Sequence, residues 1–264
     1  MSAATPGRPP VSPEHNEMPL IEHLLELRNR LLKMVIAVVI CFAAIYPFAN
    51  ELYLWLSEPL RELLPVGQMM IATDITSPFF APLKLALVLA VFAAIPVILY
   101  QLWSFIAPGL YAHEKKLAFP LLVTSVLLFY LGAAFAYYVV FPLVFGFFTA
   151  IGPEGIVELP DISSYLNFVL KMFFAFGVAF EIPIATILLI LSGVTTPQDL
   201  AAKRPYVVVG CFIIGMMLTP PDIISQTLLA VPMWILFELG ILFGYVAQRH
   251  ARSRDDEEYP ADPS

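Results

Sequence analysis

The sequence predicts an all-α membrane protein that crosses the bilayer several times. Of its 264 residues, 59% are hydrophobic and only 13% are charged, whereas soluble domains carry about 25% charged residues. Uncharged apolar runs of about 20 residues, the length that crosses a hydrocarbon core of roughly 30 Å, recur along the chain. These runs are continuous, whereas a transmembrane β-barrel shows segments of about ten residues with alternating hydrophobicity. We therefore expect a polytopic helical bundle.

Six apolar segments are delimited by the charges and prolines between them. The first is followed by an amphipathic loop that contains Pro59 and Pro65. The third is longer than a bilayer needs, and we expect Pro120 and Pro142 to bend or bound it. The fifth is short, because the sequence TPPD ends it early. The predicted spans are about Leu31–Ala49, Phe79–Phe105, Leu117–Ala150, Tyr165–Leu191, Tyr206–Leu218 and Ser225–Ala247.

The distribution of lysine and arginine predicts the orientation of these spans, because short cytoplasmic loops are enriched in positive charge. With the N-terminus in the cytoplasm, eleven of the fourteen such residues lie inside and only Arg61 lies in an outer loop. Lys84 and Lys171 lie within spans near their outer ends, where long side chains can reach the headgroups. Both termini are therefore predicted to be cytoplasmic. The inner residues are Arg8, Arg28, Arg30, Lys33, Lys115, Lys116, Lys203, Arg204, Arg249, Arg252 and Arg254.

The two ends of the chain differ from its apolar middle. Residues 1–17 are rich in proline and polar residues and lack the pattern of a signal peptide, and residues 248–264 are charged. We expect two disordered cytoplasmic tails around a membrane domain of residues 18–247. The two cysteines, Cys41 and Cys211, lie in apolar runs, and the four histidines are scattered. No metal, cofactor or disulfide is therefore expected.

The stretch HLLELRNRLLK, at the entrance to the first span, combines an interfacial helix with an unexplained acid. Leucines at spacings of four, three and four form one apolar stripe, and most polar side chains occupy the opposite arc. Arg30 and Lys33 are typical anchors of a cytoplasmic interface, and Glu26 can pair with Arg30 at i, i+4. An acid here opposes that charge pattern, as does Glu114 in the next cytoplasmic loop, and Arg28 stands beside the leucine stripe. Two carboxylates at one face would suit a ligand with guanidinium groups, whose planar fork binds a carboxylate through two hydrogen bonds.

Two carboxylates within the spans leave alternative functions open. A charge at the bilayer centre is costly, so Glu181 in FEIPIA and Glu238 in WILFELG are candidates for function. Either can also be a protonated or hydrogen-bonded structural residue between helices. A proton-coupled small-molecule transporter could use both acids, and it would show substrate flux in liposomes that hold this protein alone. An intramembrane hydrolase is disfavoured, because no span carries a GxSxG motif, a paired aspartate motif or a histidine.

Several blocks of this sequence resemble one family in the same order along the chain. PLIEHLLELRNRLLK is similar to the N-terminal signature of the TatC family, the multispanning subunit of the twin-arginine protein translocase. MIATDITSPFFAPLKL, KRPYVVVG and LTPPDIISQTLLAVPMWILFELG resemble further blocks of that family. The resemblance covers about residues 18–247. It implies a six-spanning, cupped, glove-like bundle with short fifth and sixth spans, both termini in the cytoplasm and no enzymatic activity.

The resemblance also implies a function in recognition. It implies a receptor for twin-arginine signal peptides of folded cargo in the bacterial inner membrane, with export driven by the protonmotive force. The implied partners are the single-span subunits TatA and TatB, other copies of the chain and membrane lipid, with no cofactor and no nucleic acid. The positions that match those of signal-peptide recognition are Glu26, Arg28, Phe105 and Glu114. Pro59, Glu181 and Asp222 match other functionally sensitive positions, and Glu238 remains a candidate because of its place in a span.

Overall fold

The computed structural model is a bundle of helices that follow the apolar segments of the sequence. It describes residues 20–61, 70–110, 115–151, 161–219 and 223–258. Within these residues, five helical stretches are long and apolar enough to cross a membrane, and a shorter apolar helix precedes the last of them. The helices are α1 (Leu20–Ile45), α2 (Ala49–Arg61), α3 (Ser77–Leu110), α4 (Lys115–Phe135), α5 (Phe141–Ile151), α6 (Ile162–Ala179), α7 (Ile182–Leu191), α8 (Pro197–Ala202), α9 (Arg204–Leu218) and α10 (Ile223–Glu258).

The first span begins earlier than predicted, and a helix follows it where a loop was predicted. α1 begins at Leu20, so the charged entry stretch continues into the apolar run without a break. A short 3-10 turn that contains Pro47 separates α1 from α2. α2 is amphipathic, because Tyr53 and Leu56 are buried whereas Trp55 is exposed. Burial of this apolar face stabilises a helix, so the predicted loop is wrong for α2.

The third span is one helical stretch with a local defect before its second proline. α4 contains Pro120, and a π-helical segment, Ala136–Val140, joins α4 to α5. The N–H of Phe141 donates to the carbonyl of Ala136, five residues earlier. Pro142 has no N–H with which to continue the ladder, so the hydrogen-bond register shifts beside it. Pro142 thus disturbs the helix, as predicted, without ending it.

The fourth span is broken into α6 and α7. α6 ends at Ala179 and α7 begins at Ile182, with Phe180 and Glu181 in a turn between them. Pro183 explains the break, because it lacks an N–H and its ring clashes with the carbonyl four residues earlier. Glu181 therefore lies at the start of α7, at an interruption of the span and not along a continuous helix.

The fifth apolar helix is short, as predicted, but the sixth is long. α9 has 15 residues, about 22 Å at 1.5 Å per residue, and Thr219 ends it in an extended conformation before Pro220. The apolar part of α10 alone has 26 residues, so the prediction of a short sixth span is wrong. α10 then continues to Glu258, because the charged run after Gln248 contains good helix formers. Helix α10 thus extends through residues 248–258 of the segment predicted as a charged tail.

The buried core and the first span differ in how tightly they pack. The core is rich in aromatic residues, and Phe141 and Phe176 are fully buried in it. α4 approaches α6 closely at Gly132, where a Cβ atom would lie 2.4 Å from the carbonyl oxygen of Phe176. By contrast, no side chain from residue 24 to residue 45 is buried, and α1 packs mainly against α3. The exposed apolar surface of α1 suits contact with lipid or with a partner helix.

A polar clasp joins the segments that precede α3 and α6 at one end of the bundle. The carboxylate of Asp161 accepts hydrogen bonds from the N–H and the hydroxyl of Thr73, at 3.0 and 2.8 Å. It also accepts from the N–H of Ser164, at 2.8 Å, and thereby caps α6. Beside it, the N–H of Ile162 donates to the carbonyl of Ile71 at 2.9 Å. The two N–H donors favour the charged carboxylate and lower the pKa of Asp161 to about 2.

Candidate functional site

A polar pocket lies between α1 and the C-terminal part of α3, at the end of the bundle opposite the clasp. We call it the α1–α3 pocket, and its volume is about 520 Å³. Its lining confirms the polar arc predicted for the entry helix, because α1 faces α3 with that arc. α1 contributes Leu25, Glu26, Asn29, Arg30 and Lys33, and α3 contributes Tyr100, Gln101 and Ser104.

Glu26 is the acid of this pocket, and part of its hydrogen-bonding capacity is already used within α1. The Nε and Nη2 atoms of Arg30 both donate to Oε1 of Glu26, at 2.9 and 2.5 Å. The side chain of Arg30 is 16% exposed and that of Glu26 is 39% exposed. In the part of the chain that the structure describes, Oε2 of Glu26 has no partner. Because each carboxylate oxygen carries two acceptor sites, Glu26 keeps the capacity to bind a further guanidinium.

The other two described residues of the predicted recognition site differ in their relation to this pocket. Phe105 directly follows Ser104 on α3 and is partly buried. Arg28 is exposed and donates to Oδ1 of Asn29 at 3.2 Å. It does not line the pocket, because two residues turn a helix by about 200° and so place Arg28 away from Glu26. The structure thus brings Glu26 to the turn of α3 that holds Phe105, and it places Arg28 apart from them.

Glu181, at the break between α6 and α7, contacts a side chain of another span. Its Oε2 accepts a hydrogen bond from the hydroxyl of Ser125 on α4. The indole N–H of Trp103 on α3 donates to the same hydroxyl at 3.4 Å. Oε1 of Glu181 is buried and has no hydrogen-bond partner among the described residues. An unsatisfied buried acceptor costs about 1–3 kcal/mol, so this acid is not a fully satisfied structural residue.

Glu238 is bound by a cation of the neighbouring helix. The Nε and Nη2 atoms of Arg204, at the start of α9, donate to Oε1 and Oε2 of Glu238 on α10, both at 2.7 Å. This parallel arrangement is the strongest geometry for a guanidinium and a carboxylate. Both oxygens of Glu238 are therefore engaged by Arg204, which leaves this acid less suited than Glu26 to bind a ligand.

Three candidate residues lack described surroundings. Glu114 and Asp222 lie outside the described residues. Pro59 lies in α2, whose backbone is described, but its side chain is not. No cluster of His, Cys, Asp and Glu that could hold a metal ion occurs within the described ranges.

Sequence reasoning did not identify the partners that the acids take from other helices. Gln101 is a buried polar side chain in an apolar span, and that contrast could have marked the α3 wall of the pocket. Ser125 is fully buried, but a lone serine in a span gives no sequence signal. Arg204 was interpreted as a cytoplasmic anchor, and its pairing with Glu238 depends on how α9 and α10 align. These contacts could be identified only from the three-dimensional structure.

The fold and these sites define a multi-pass helical membrane protein with a polar pocket near one end of its bundle. The family model of the Sec-independent protein translocase protein (TatC) matches residues 22–232. The TatC protein of Azotobacter chroococcum is 57% identical over 94% of this chain and 96% of its own length. That of Escherichia coli K12 is 55% identical, over 90% of this chain and 92% of its own length. The chain therefore belongs to the TatC family.

The fold agrees with a solved member of this family. The crystal structure of the twin-arginine translocase receptor TatC matches with a TM-score of 0.77 and 41% sequence identity, over 86% of this chain and 99% of that chain. Membership confirms the resemblance found in the sequence, and it identifies the chain as a translocase component and not an enzyme. It also favours translocation over the transporter alternative.

Proposed function

We propose that this chain is the receptor that binds the paired arginines of twin-arginine signal peptides on folded cargo. The observation that carries the proposal is the α1–α3 pocket, in which Glu26 is 39% exposed and retains an oxygen without a partner among the described residues. Membership in the TatC family and the similarity to a solved twin-arginine translocase receptor support it. In this proposal the apolar part of the signal peptide lies along the spans.

The chemistry of the pocket suits guanidinium better than ammonium. A guanidinium can donate two parallel hydrogen bonds to a carboxylate, whereas a lysine ammonium acts as a point charge. Glu26 accepts one arginine of the peptide through Oε2, which no described residue binds, or by displacing Arg30. Glu114, the second acid predicted for the same face, accepts the other arginine. Arg28 lies away from the pocket lining, and we propose that it contacts a part of the peptide outside the arginine pair.

The partners and the location follow the same proposal. We place the chain in the bacterial inner membrane with both termini in the cytoplasm, which the excess of inner lysine and arginine supports. It works in a complex with TatA, TatB and further copies of itself, and the protonmotive force drives export. The exposed apolar surface of α1 supports a role for that helix in contacts with single-span partners. Pro59 and Asp222 are proposed to act on the side opposite the receptor pocket.

Crosslinking in inverted membrane vesicles tests the receptor function. A photoreactive twin-arginine peptide is added to wild type, Glu26→Ala, Glu114→Ala and the control Glu51→Ala, which removes an exposed acid of α2. We expect crosslinking to be lost in the first two variants and retained in the control. A peptide with two lysines should crosslink poorly to the wild type. Undiminished crosslinking in both Glu26→Ala and Glu114→Ala would overturn the assignment.

Glu181 is proposed to act after the signal peptide has bound. It lies at the break of the fourth span and keeps a buried oxygen without a partner among the described residues. We expect Glu181→Ala to impair transport of a folded cargo while peptide crosslinking stays normal. Ser125→Ala, which removes the hydroxyl that binds Glu181, should show a weaker defect of the same kind. Normal transport by Glu181→Ala would show that this acid is only structural.

A further inference from the structure

A second cavity lies in the membrane-spanning part of the chain, away from the receptor pocket. It is a groove of about 820 Å³ between α6 and α9, within the range of roughly 300–1,000 Å³ that small-molecule sites occupy. Its walls are apolar along most of their length, from Leu170 and Phe174 on α6 to Ile214 and Met217 on α9. We call it the α6–α9 groove.

Three polar side chains stand together at one end of this groove. Lys84 of α3 and Asn167 and Lys171 of α6 are its polar lining. Lys84 donates a hydrogen bond to Oδ1 of Asn167, so the amide NH₂ of Asn167 remains available as a donor. Neither lysine has a carboxylate within ion-pair distance among the described residues. The groove therefore has a cationic end whose charge the described side chains do not neutralise.

The depth of these lysines makes an anionic partner favourable. Lys84 is seven residues from the start of α3 and Lys171 is nine from the start of α6, about 10 and 14 Å along each helix. Isolated charges inside a span are costly, and such residues pair with an opposite charge or reach for the headgroups. A lipid phosphate at this level provides that charge, and its acyl chains extend along the apolar walls. Val178 of α6 and Met217 of α9, both in the lining, are exposed, so the groove is open to the surrounding lipid.

We propose that the α6–α9 groove is a binding site for one anionic phospholipid. Its phosphate contacts Lys84, Lys171 and the amide of Asn167, and its acyl chains lie between α6 and α9. The site lies at the clasp end of the bundle and does not depend on the receptor function proposed above. The occupant is a lipid because the groove joins a cationic end to a long apolar channel, and a free phosphate would use only the first of these.

Native mass spectrometry of the full-length protein in neutral detergent tests the proposal. Phosphatidylglycerol and phosphatidylcholine with identical acyl chains are titrated against wild type, Lys84→Gln/Lys171→Gln and the control Lys203→Gln, which removes a lysine at the start of α9. We expect phosphatidylglycerol to bind the wild type more tightly. Each lysine near an anionic headgroup contributes roughly fivefold, so the double variant should lose roughly thirtyfold in affinity. The control and Lys84→Arg/Lys171→Arg should keep the preference.

Two further measurements locate the lipid and identify its source. Phosphatidylglycerol with a photoreactive acyl chain should crosslink to the residues of α6 and α9 that line the groove, and soluble glycerol phosphate should not compete with it. If glycerol phosphate competes with the lipid, the site binds phosphate and not a whole lipid. If an apolar peptide displaces the lipid and glycerol phosphate does not, the groove binds a helix and not a lipid. Equal binding of both lipids by the wild type, or an unchanged preference in a double variant that elutes as the wild type does, would also overturn the proposal.

Discussion

Arg30 occupies the carboxylate of Glu26 that we propose binds the ligand. This arrangement predicts that removal of Arg30 strengthens peptide binding, whereas removal of a charged residue at a binding site usually weakens it. Both N–H donors that Arg30 directs at Glu26 bind the same oxygen, at 2.9 and 2.5 Å. An incoming arginine must therefore share the carboxylate or displace a guanidinium of the same chemistry. Removing Arg30 should strengthen binding of a twin-arginine peptide, whereas removing Glu26 should weaken it.

The expected magnitudes follow from the geometry of the pair. A partly exposed ion pair contributes about 0.5–1 kcal/mol, so Arg30→Gln should raise peptide affinity by roughly two- to fivefold. Hydrogen bonds to a charged group contribute about 1.5–3 kcal/mol, so Glu26→Gln should lower affinity by roughly tenfold to a hundredfold. Lys33 also lines the pocket, but it lies seven residues from Glu26, about 10 Å along the helix. Because charges beyond about 8 Å are screened in 0.15 M salt, Lys33→Gln should change affinity less than twofold.

Fluorescence anisotropy of a labelled twin-arginine peptide measures these affinities, with the protein reconstituted in nanodiscs at 0.15 M salt. Arg30→Lys is a further control, because it keeps the charge but removes the fork, and we expect an affinity between those of the wild type and Arg30→Gln. If Arg30→Gln and Lys33→Gln strengthen binding equally, the gain is a general effect of net charge. If Arg30→Gln weakens binding, Arg30 positions Glu26 or contacts the peptide directly, and the reasoning from competition is refuted.

Three further predictions concern contacts that hold the bundle together, and thermal unfolding in detergent measures all of them. Gly132→Ala should destabilise by about 1–3 kcal/mol, because its Cβ would clash with a carbonyl oxygen, whereas Gly210→Ala meets no atom within 4 Å and should not destabilise; equal effects would refute this packing. Asp161→Ala should cost about 1 kcal/mol at pH 7. The carboxylate of Asp161 has a pKa of about 2 in the folded protein, against an ordinary value of 3.8. Its charge therefore stabilises the folded state fully above about pH 4, and the difference in stability between Asp161→Ala and the wild type should shrink as the pH falls toward 2. A difference that does not change with pH would exclude the charged clasp. Arg204→Gln and Glu238→Gln should be non-additive in a double-mutant cycle, and additive effects would mean that the two side chains are not coupled.

The sequence was sufficient for features that depend on local composition. The length of apolar runs located the spans, because the bilayer imposes a minimum length on any helix that crosses it. The short α9 could be predicted because two prolines follow Thr219 in the sequence. The polar arc of the entry helix was correct for the same reason, since the positions of Glu26 and Arg30 on a helix depend only on its period. The sequence blocks that resemble TatC added the expectation of a receptor function, which neither helical periodicity nor amino-acid composition predicts.

The remaining features depend on which helices become neighbours. Pro59, together with Pro65 after it, predicted a loop where α2 lies, whereas the burial of Tyr53 and Leu56 that stabilises α2 is a tertiary effect. The partner of Glu238 could not be predicted, because Arg204 is 34 residues away. The sequence underestimates the extent of α10, because its apolar residues end with the span whereas the helix continues to Glu258. A charged sequence can continue a helix outside the membrane when its propensity is high.

Three of the candidate acids, Glu26, Glu181 and Glu238, lie within the described residues, and their unoccupied acceptor positions determine which of them can bind an arginine from outside. Glu238 uses both oxygens on one guanidinium, so a second guanidinium there would have to break two short bonds. Glu181 has an oxygen that no described residue binds, but that oxygen is buried at a break between spans, where an arginine would first have to be desolvated at a cost of several kcal/mol. Glu26 alone among them combines an exposed side chain with an oxygen that no described residue binds. An arginine could therefore bind at Glu26 while it remains partly hydrated, and for that reason we propose recognition at the entrance of α1 and a later step of transport at Glu181.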